Sequence, residues 1–290
     1  MMQRSVWLSL LVLWLCAWPT ARAQTLDAGD LQRLYQNLRP RLAQSPLRRG
    51  LVLDSSESSD RTSGDIYAVL DVTLPRLEQI NRDPARWCEI LLLLSNAKNC
   101  TVGSDGGNPA LLLQMGTKGP QDLNTTTAMD FRFSSSRAAS AVLETLLNAS
   151  TGPMGTKDGT LQLRAIALPG DQAFVHLHYS YRSSLAGRFA TEVYLQTLGR
   201  GKVGFSTEAG TGNVVGGVRG IIERNTMRYF MGLGCALQFA ATDGPAQRFD
   251  QMSACWYDET QRYPVQLYEM PRADYLDMKR AEYARPAPRR

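Results

Sequence analysis

The chain has 290 residues, of which 43% are hydrophobic and 20% charged, a composition typical of a globular protein with a sizeable core. Its formal net charge is +5, and most of that excess lies in residues 279–290, which hold five basic residues and one acid. The rest of the chain is nearly balanced in charge, which argues against a surface for nucleic acid. The basic tail predicts a solvated end, or contact with anionic lipid head groups at about 1 kcal/mol per charge.

The N-terminus has the pattern of a secretory signal peptide. Arg4 precedes an almost wholly apolar run at residues 6–18, and Ala21 and Ala23 place small side chains where signal peptidase requires them. The apolar run is shorter than the ~20 residues of a membrane-spanning helix. We therefore expect cleavage before Gln24 and export to the periplasm.

From residue 24 onward, helical and extended patterns follow in an order that indicates an α+β protein. Residues 27–44 predict a helix, and residues 75–94 predict a second helical region, in which Asp83 is suited to cap a new helix that begins at Pro84. Most of the predicted strands follow one another without an intervening helix, which favours an antiparallel sheet. These strands are predicted at 51–55, 65–72, 110–115, 126–133, 161–168, 174–181 and 202–206.

Other segments have a mixed pattern or follow the strands. Residues 141–149 favour a helix in isolation, but the Gly- and Pro-rich turn behind them favours a strand of a hairpin. Residues 188–196 predict a short helix. Beyond residue 240 two helical pieces are predicted, and the second begins at Pro271, a residue suited to a first helical turn.

Four cysteines remain after the predicted cleavage. An exported protein meets an oxidising compartment, which favours disulfides over free thiols. Cys88 and Cys100 are the favoured pair, because turn-forming residues follow a helical segment between them and let the chain double back. Cys235 and Cys255 either pair or are buried as small apolar side chains.

The stretch GTGNVVGGVRGIIERNTMRYFMGLGCALQFAA, residues 210–241, is the most informative part of the chain. Its glycines resemble a dinucleotide-binding loop, but the spacing GxGxxxG is one residue too long and no parallel βαβ unit surrounds it. Charged residues interrupt its first half, each at ~2.5–3.5 kcal/mol near a bilayer centre, which excludes a membrane span. The remaining interpretation is a long helix, covered by the sheet on one side and by C-terminal helices on the other.

One face of this helix is predicted to meet a ligand. Ile222 and Tyr229 belong to its apolar stripe, and Asn225 places an amide in the middle of that stripe. A buried amide without partners costs ~1–3 kcal/mol, so Asn225 either bonds a neighbouring backbone group or faces a cavity. We assign Ile222, Asn225, Arg228 and Tyr229 as the ligand-binding residues.

Few side chains in the sequence could carry catalysis. His176 and His178 share one face of a predicted strand, but no further histidine is available, so the third ligand of a metal site would have to be a carboxylate, an unpaired cysteine or a distant group. We assign no metal and no cofactor. GxSxG, P-loop and HExxH motifs do not occur, and no catalytic residue is assigned. Glu223 and Arg219 lie off the apolar stripe and predict an ion pair on the helix surface.

The order of elements resembles that of the START-like (SRPBCC, helix-grip) superfamily, in which a curved antiparallel sheet grips a long C-terminal helix. Four segments, WCEILLLLSNAKNC, GKVGFS, GVRGIIERNTMRYF and YDETQRYPVQLYEM, resemble exported bacterial proteins of this type. With the signal peptide at residues 1–23, the resemblance implies a helix-grip domain at 24–240 and a helical extension with the basic tail at 241–290. It also implies that a hydrophobic or amphipathic small molecule binds between sheet and helix.

Two hypotheses of function follow. The first is a periplasmic binding or carrier protein for a hydrophobic or amphipathic small molecule or lipid. The second is a non-enzymatic structural or interaction module of the envelope, in which the C-terminal extension fills the groove between sheet and helix. A cyclase- or hydrolase-like enzyme has no catalytic constellation in the sequence to support it.

Overall fold

The computed structural model describes residues 27–47, 50–137, 141–184, 187, 189, 201–208 and 210–286. The helices are α1 (Ala28–Ala43), α2 (Leu74–Asn81), α3 (Pro84–Leu92), α4 (Gly217–Gln238), α5 (Pro245–Thr260), α6 (Pro264–Leu267) and α7 (Arg272–Tyr283). The strands are β1 (Val52–Glu57), β2 (Arg61–Leu70), β3 (Ala97–Asp105), β4 (Asn108–Met115), β5 (Thr127–Arg137), β6 (Leu143–Thr151), β7 (Thr156–Leu168) and β8 (Gln172–Ser183). The predicted signal peptide and residues 287–290 of the basic tail lie outside the described residues.

The eight strands form one antiparallel sheet in the order β1-β2-β8-β7-β6-β5-β4-β3. The chain forms the β1–β2 hairpin, leaves the sheet through α2 and α3, and returns to build β3 to β8 as successive neighbours. The last of these strands, β8, pairs with β2 and so joins the β1–β2 hairpin to the strands β3 to β8. This curved antiparallel sheet with a long helix after its last strand is the predicted helix-grip α+β fold.

Capping residues determine where α1 and α3 begin. Asp27 caps α1, since its side chain accepts a hydrogen bond from the Asp30 backbone nitrogen at 2.8 Å and the Asp30 carboxylate accepts one from the Asp27 nitrogen at 3.2 Å. Asp83 caps α3 in the predicted way and accepts from the Ala85 nitrogen at 2.8 Å. Pro84 occupies the first turn, where the missing N–H leaves no bond unmade.

The inner face of the sheet holds the main core and receives α2, α3 and α4. Its buried side chains include Ile66, Leu77, Ile90, Ala97, Leu111, Phe131, Leu147, Leu163, Leu177, Phe230 and Leu233. α4 approaches β2 closely at Gly64, where an added Cβ would collide with Thr226 Oγ1 and lie 3.4 Å from Ile222 Cγ1. Glycine is therefore required at this position for α4 to lie directly on the strand.

The outer face of the sheet is covered at one end by α1. The buried leucines of this helix pack against Ile166 and Phe174, and the Tyr35 ring lies 5.3 Å from the Phe174 ring. A second, smaller apolar cluster forms there. Beyond this cluster the outer face carries many polar side chains, among them Glu144, Gln162 and Arg164, which bond to one another.

β1 is an edge strand, and side chains bond two carbonyl groups along this edge. Ser45 Oγ donates to the Leu51 carbonyl at 2.5 Å, and Arg219 Nη2 donates to the Ser55 carbonyl at 3.3 Å. These bonds tie the end of α1 and the start of α4 to the same edge.

Glu223 lies beside this edge strand and is fully buried. Its carboxylate accepts from Ser55 Oγ at 2.6 Å, from the Phe205 nitrogen at 2.6 Å and from the Ser206 nitrogen at 3.0 Å. The prediction that Glu223 lies on the helix surface is wrong, because the segment before α4 folds over it and donates backbone N–H groups to it.

The C-terminal extension packs on α3 and α4. Trp256 Nε1 of α5 donates to the Arg228 carbonyl at 3.1 Å, and the Tyr275 hydroxyl of α7 donates to the Leu93 carbonyl at 2.7 Å. The rings of Trp256 and Tyr275 stack with their centroids 5.3 Å apart. Among the described contacts, the extension meets the sheet at β3.

A buried ionic group fastens α7 to the start of β3. Lys98, Lys279 and Glu282 are at most 1% exposed, and Glu282 accepts from Lys98 Nζ at 2.8 Å and from Lys279 Nζ at 2.6 Å. Both lysines also donate to backbone carbonyls between α3 and β3. The prediction of a solvated tail from residue 279 onward is therefore wrong for Lys279 and Glu282.

Both cysteine pairs are bonded. The predicted Cys88–Cys100 disulfide is present and joins α3 to β3. The pairing of Cys235 with Cys255, which the sequence left open, is also present and joins α4 to α5.

Several segments differ from their predicted patterns. The ambiguous stretch after residue 141 is strand β6, and β3 was not predicted because its sequence AKNCTVGSD lacks apolar alternation. The predicted strand at 202–206 is not formed; nearby, Thr207 makes a single bridge to Val214. The helix predicted at 188–196 lies almost wholly outside the described residues.

Candidate ligand-binding site

Five segments of the chain bring charged and polar side chains together beside α4. Arg228 comes from the middle of α4, Glu269 from the turn between α6 and α7, and Lys118 from the loop after β4. Lys202 comes from the segment before α4, and Ser95 from the junction of α3 with β3. We refer to these five residues as the cationic cluster.

Glu269 is the centre of the cationic cluster. Its Oε1 accepts from Arg228 Nη2 at 2.7 Å and from Lys118 Nζ at 2.6 Å, and its Oε2 accepts from Ser95 Oγ. Burial alone would raise the pKa of Glu269. The positive charges of Arg228, Lys118 and Lys202 lower this pKa by a larger amount, so the net shift is downward. The carboxylate is therefore ionised at neutral pH.

Cations outnumber carboxylates in the cluster. Burial, followed by the neighbouring Lys118 ammonium, lowers the pKa of Lys202 to about 8. Lys202 is thus still largely protonated at pH 7. Among the described members of the cluster, Lys118, Lys202 and Arg228 face the single carboxylate of Glu269, which leaves an excess of positive charge.

Arg228 is the member whose hydrogen bonds are incomplete. Its side chain is 7% exposed, and it donates from Nη1 to Asn225 Oδ1 at 3.2 Å and from Nη2 to Glu269. Its Nε is buried and has no partner within the described part of the chain. A buried donor left without a partner is costly, so this atom points to a missing acceptor.

The four predicted ligand-binding residues occupy distinct surroundings on α4. Asn225 is half-buried and meets Arg228, while the Tyr229 ring packs edge-to-face on Tyr179 of β8 with centroids 5.0 Å apart. Burial raises the pKa of Tyr229 to about 12, so the phenol is neutral. Ile222 is fully buried against β2. Asn225 and Arg228 therefore belong to the polar part of this region, and Tyr229 and Ile222 to its apolar part.

Sequence reasoning missed Lys118, Lys202 and Glu269. They lie in loops without periodicity, and their distance from Arg228 along the chain hides their proximity in space. The one signal that could have pointed to the cluster is Glu269, an acid placed between Tyr268 and Met270 in an otherwise apolar turn.

Within the described residues, none of the helices combines the length and the apolarity that crossing a membrane requires. No protein-family model and no curated protein matches the sequence.

Solved structures with a similar fold do match. Norcoclaurine synthase from Thalictrum flavum aligns over 49% of this chain and 91% of its own, with 10% identity and a TM-score of 0.34. A protein from Thermus thermophilus aligns over 62% of this chain and 99% of its own, with 12% identity and a TM-score of 0.39. The Zhui aromatase/cyclase from a Streptomyces species aligns over 63% of this chain and 98% of its own, with 11% identity and a TM-score of 0.36. The order of the strands and the position of α4 after the last strand show the helix-grip α+β fold of this chain.

Proposed function

We propose that the protein binds an amphipathic small molecule with an anionic head group and acts as a binding or carrier protein. The head group lies against the cationic cluster, and the apolar part enters between the sheet and α4 beside Tyr229. The observation that carries this proposal is the excess of positive charge around Arg228, whose buried Nε has no acceptor among the described residues.

The charges of the cluster favour an anion over a neutral polar group. A carboxylate, phosphate or sulfate supplies acceptors for Arg228 Nε and for the lysines, and hydrogen bonds between ionised partners are about twice as strong as neutral ones. Glu269 holds Arg228 and Lys118 in place without neutralising the cluster. Lys118 is 39% exposed, which gives the head group a route from solvent.

The surroundings of α4 favour an apolar part on the ligand. Asn225 and Tyr229 lie one turn apart on α4, and the Tyr229 ring packs on Tyr179 in the apolar core on the inner face of the sheet. The extension packs on α3 and α4 and supplies Glu269 to the cluster.

Dodecanoate and dodecanol test the proposal, because they share an apolar part and differ in the head group. In isothermal titration below the micelle concentration, we expect dodecanoate to bind at least ~10-fold more tightly than dodecanol, a difference of about 1.4 kcal/mol. Acetate, the head group alone, should bind more weakly than either. Equal affinity for dodecanoate and dodecanol would contradict the anionic head group, and binding of neither would contradict the carrier function.

Variants of the cluster separate its role from general surface charge. Arg228→Met and Lys202→Met should each weaken dodecanoate binding by roughly 10–100-fold, since each removes a charge-assisted contact worth about 1.5–3 kcal/mol. Lys157→Met is the matched control, because Lys157 is exposed on β7. The affinity of this variant for dodecanoate should equal that of the wild type. Asn225→Leu should remain folded and lose thermal stabilisation by dodecanoate.

The affinity for dodecanoate should also depend on pH. Lys202 loses its proton as the pH rises through about 8, while Glu269 stays ionised. Binding should therefore weaken between pH 7 and pH 9, and Lys202→Met should show a flatter profile. A wild-type profile as flat as that of the variant would remove Lys202 from the site.

We also infer that the protein is exported to the periplasm after cleavage before Gln24. The signal-peptide pattern and the two disulfides support this localisation. Intact-mass measurement of the periplasmic fraction should find a chain that begins at Gln24. A periplasmic protein that retains residues 1–23 would contradict the cleavage.

A further inference from the structure

We propose that Asp65, His176 and His178 form a binding site for a divalent transition-metal ion on the outer face of the sheet. Asp65 stands on β2, and the two histidines stand on the neighbouring strand β8. This site is separate from the cationic cluster, which lies beside α4 on the inner side. The third ligand that the sequence alone did not provide comes from the strand pairing.

The three ligand atoms already converge. Asp65 Oδ1 lies 2.8 Å from His176 Nε2 and 2.7 Å from His178 Nδ1, and the three atoms are all within 4.8 Å of one another. The register pairs Asp65 directly with His178, and the two-residue repeat of a strand puts His176 on the same face. Two imidazoles and one carboxylate on one side of an ion make a set typical of Zn²⁺ and Fe²⁺ sites with open positions.

Packing orients one of the ligands, and the three side chains are accessible to solvent. The Tyr67 ring stacks on the His176 ring at 4.6 Å and fixes its orientation. The side chains of His176, His178 and Asp65 are 11%, 26% and 19% exposed, so an ion can enter from solvent.

The neighbouring charges on this face are paired with each other. Arg164, which lies opposite His176 on β7, donates from Nε to Glu144 at 3.0 Å. Asp54, which lies opposite Asp65 on β1, accepts from Arg41 of α1. A cation at the site therefore meets no unpaired positive charge from these residues.

Binding of an ion requires only small side-chain movements. Tetrahedral ligands at Zn–N and Zn–O distances of ~2.0–2.1 Å lie ~3.3 Å apart. Each imidazole nitrogen would move about half an ångström away from the carboxylate oxygen, and the two nitrogens, now within 4.8 Å of each other, would come to the same ~3.3 Å separation. Water or a solute would occupy the coordination positions of the ion that the three side chains leave open.

Zinc titration of the tag-free protein tests the site, because the chain has only two histidines. We expect one Zn²⁺ per chain, X-ray absorption showing two imidazole ligands, and a higher thermal midpoint with zinc. His176→Ala, His178→Ala and Asp65→Asn should each lower the affinity by at least ~100-fold, more than the loss of an outer-shell partner.

A control variant and folding measurements separate a loss of zinc binding from a loss of folding. Asp105→Asn, which changes an exposed carboxylate on β3, should bind zinc like the wild type. Asp65→Asn keeps the shape of the side chain, and its circular dichroism and melting without zinc report folding separately. A wild type that binds zinc no more tightly than the His176→Ala/His178→Ala double variant would overturn the proposal, as would X-ray absorption without imidazole ligands.

Discussion

Replacing Glu282 by glutamine is expected to lower the free energy of unfolding by about 3–5 kcal/mol, the usual effect of leaving a buried charge without its partner. Glu282 is the shared partner of Lys98 and Lys279, and all three side chains are buried. Without its carboxylate, two ammonium groups remain close together in the core. Urea unfolding of both proteins measures the difference.

The pH dependence of this loss identifies its cause. Burial lowers the pKa of Lys279 from 10.5 to about 8, so between these values the unfolded chain binds more protons and the contribution of Lys279 to stability rises with pH. Glu282 raises the pKa of Lys279, so in Glu282→Gln the Lys279 ammonium should lose its proton at a lower pH than in the wild type, and the deficit should shrink as the pH rises toward 8. Asp277→Asn on the same helix is the control, because Asp277 is 77% exposed and its ion pair with Arg280 contributes less than ~1 kcal/mol. A deficit of Glu282→Gln no larger than that of the control would contradict the buried ion pairs.

Replacing Cys88 and Cys100 together by serine should lower the free energy of unfolding by about 3 kcal/mol, the chain-entropy value for a loop of this size. The disulfide joins α3 to β3, an edge strand whose polar sequence contributes little apolar burial of its own. Cys88 is also buried, so a serine hydroxyl at this position needs a new partner.

Urea unfolding with and without reductant checks this effect. Reduction should shift the unfolding midpoint of the wild type more than that of the double serine variant, because the variant keeps only the Cys235–Cys255 bond. Non-reducing peptide mapping that found the Cys88 and Cys100 thiols free would contradict the prediction.

The fold could be predicted from the sequence where local patterns determine it. Asp83 and Pro84 mark the start of α3, and the alternation in residues 174–181 marks β8. β3 could not be predicted in this way, because its residues become a strand only by pairing with β4. Glu223 shows the same limit, since periodicity describes one helix and not the segment that later covers it.

The candidate site was predictable only for the part that lies on α4. Asn225 broke the apolar stripe and marked its polar neighbourhood, where Arg228 now contacts it. The partners of Arg228 come from loops that meet because the antiparallel sheet and the extension bring their ends together. These contacts depend on strand register and tertiary packing, which cannot be predicted from a short segment of the sequence.

The side-chain bonds along the β1 edge have a consequence for solubility. An edge strand with free carbonyl groups can pair with a strand of another molecule and start aggregation. Here Ser45 and Arg219 occupy the Leu51 and Ser55 carbonyls, which lie an even number of residues apart and point to the same side. An incoming strand would have to displace both donors before it could form a ladder, so the fold protects this edge against self-association.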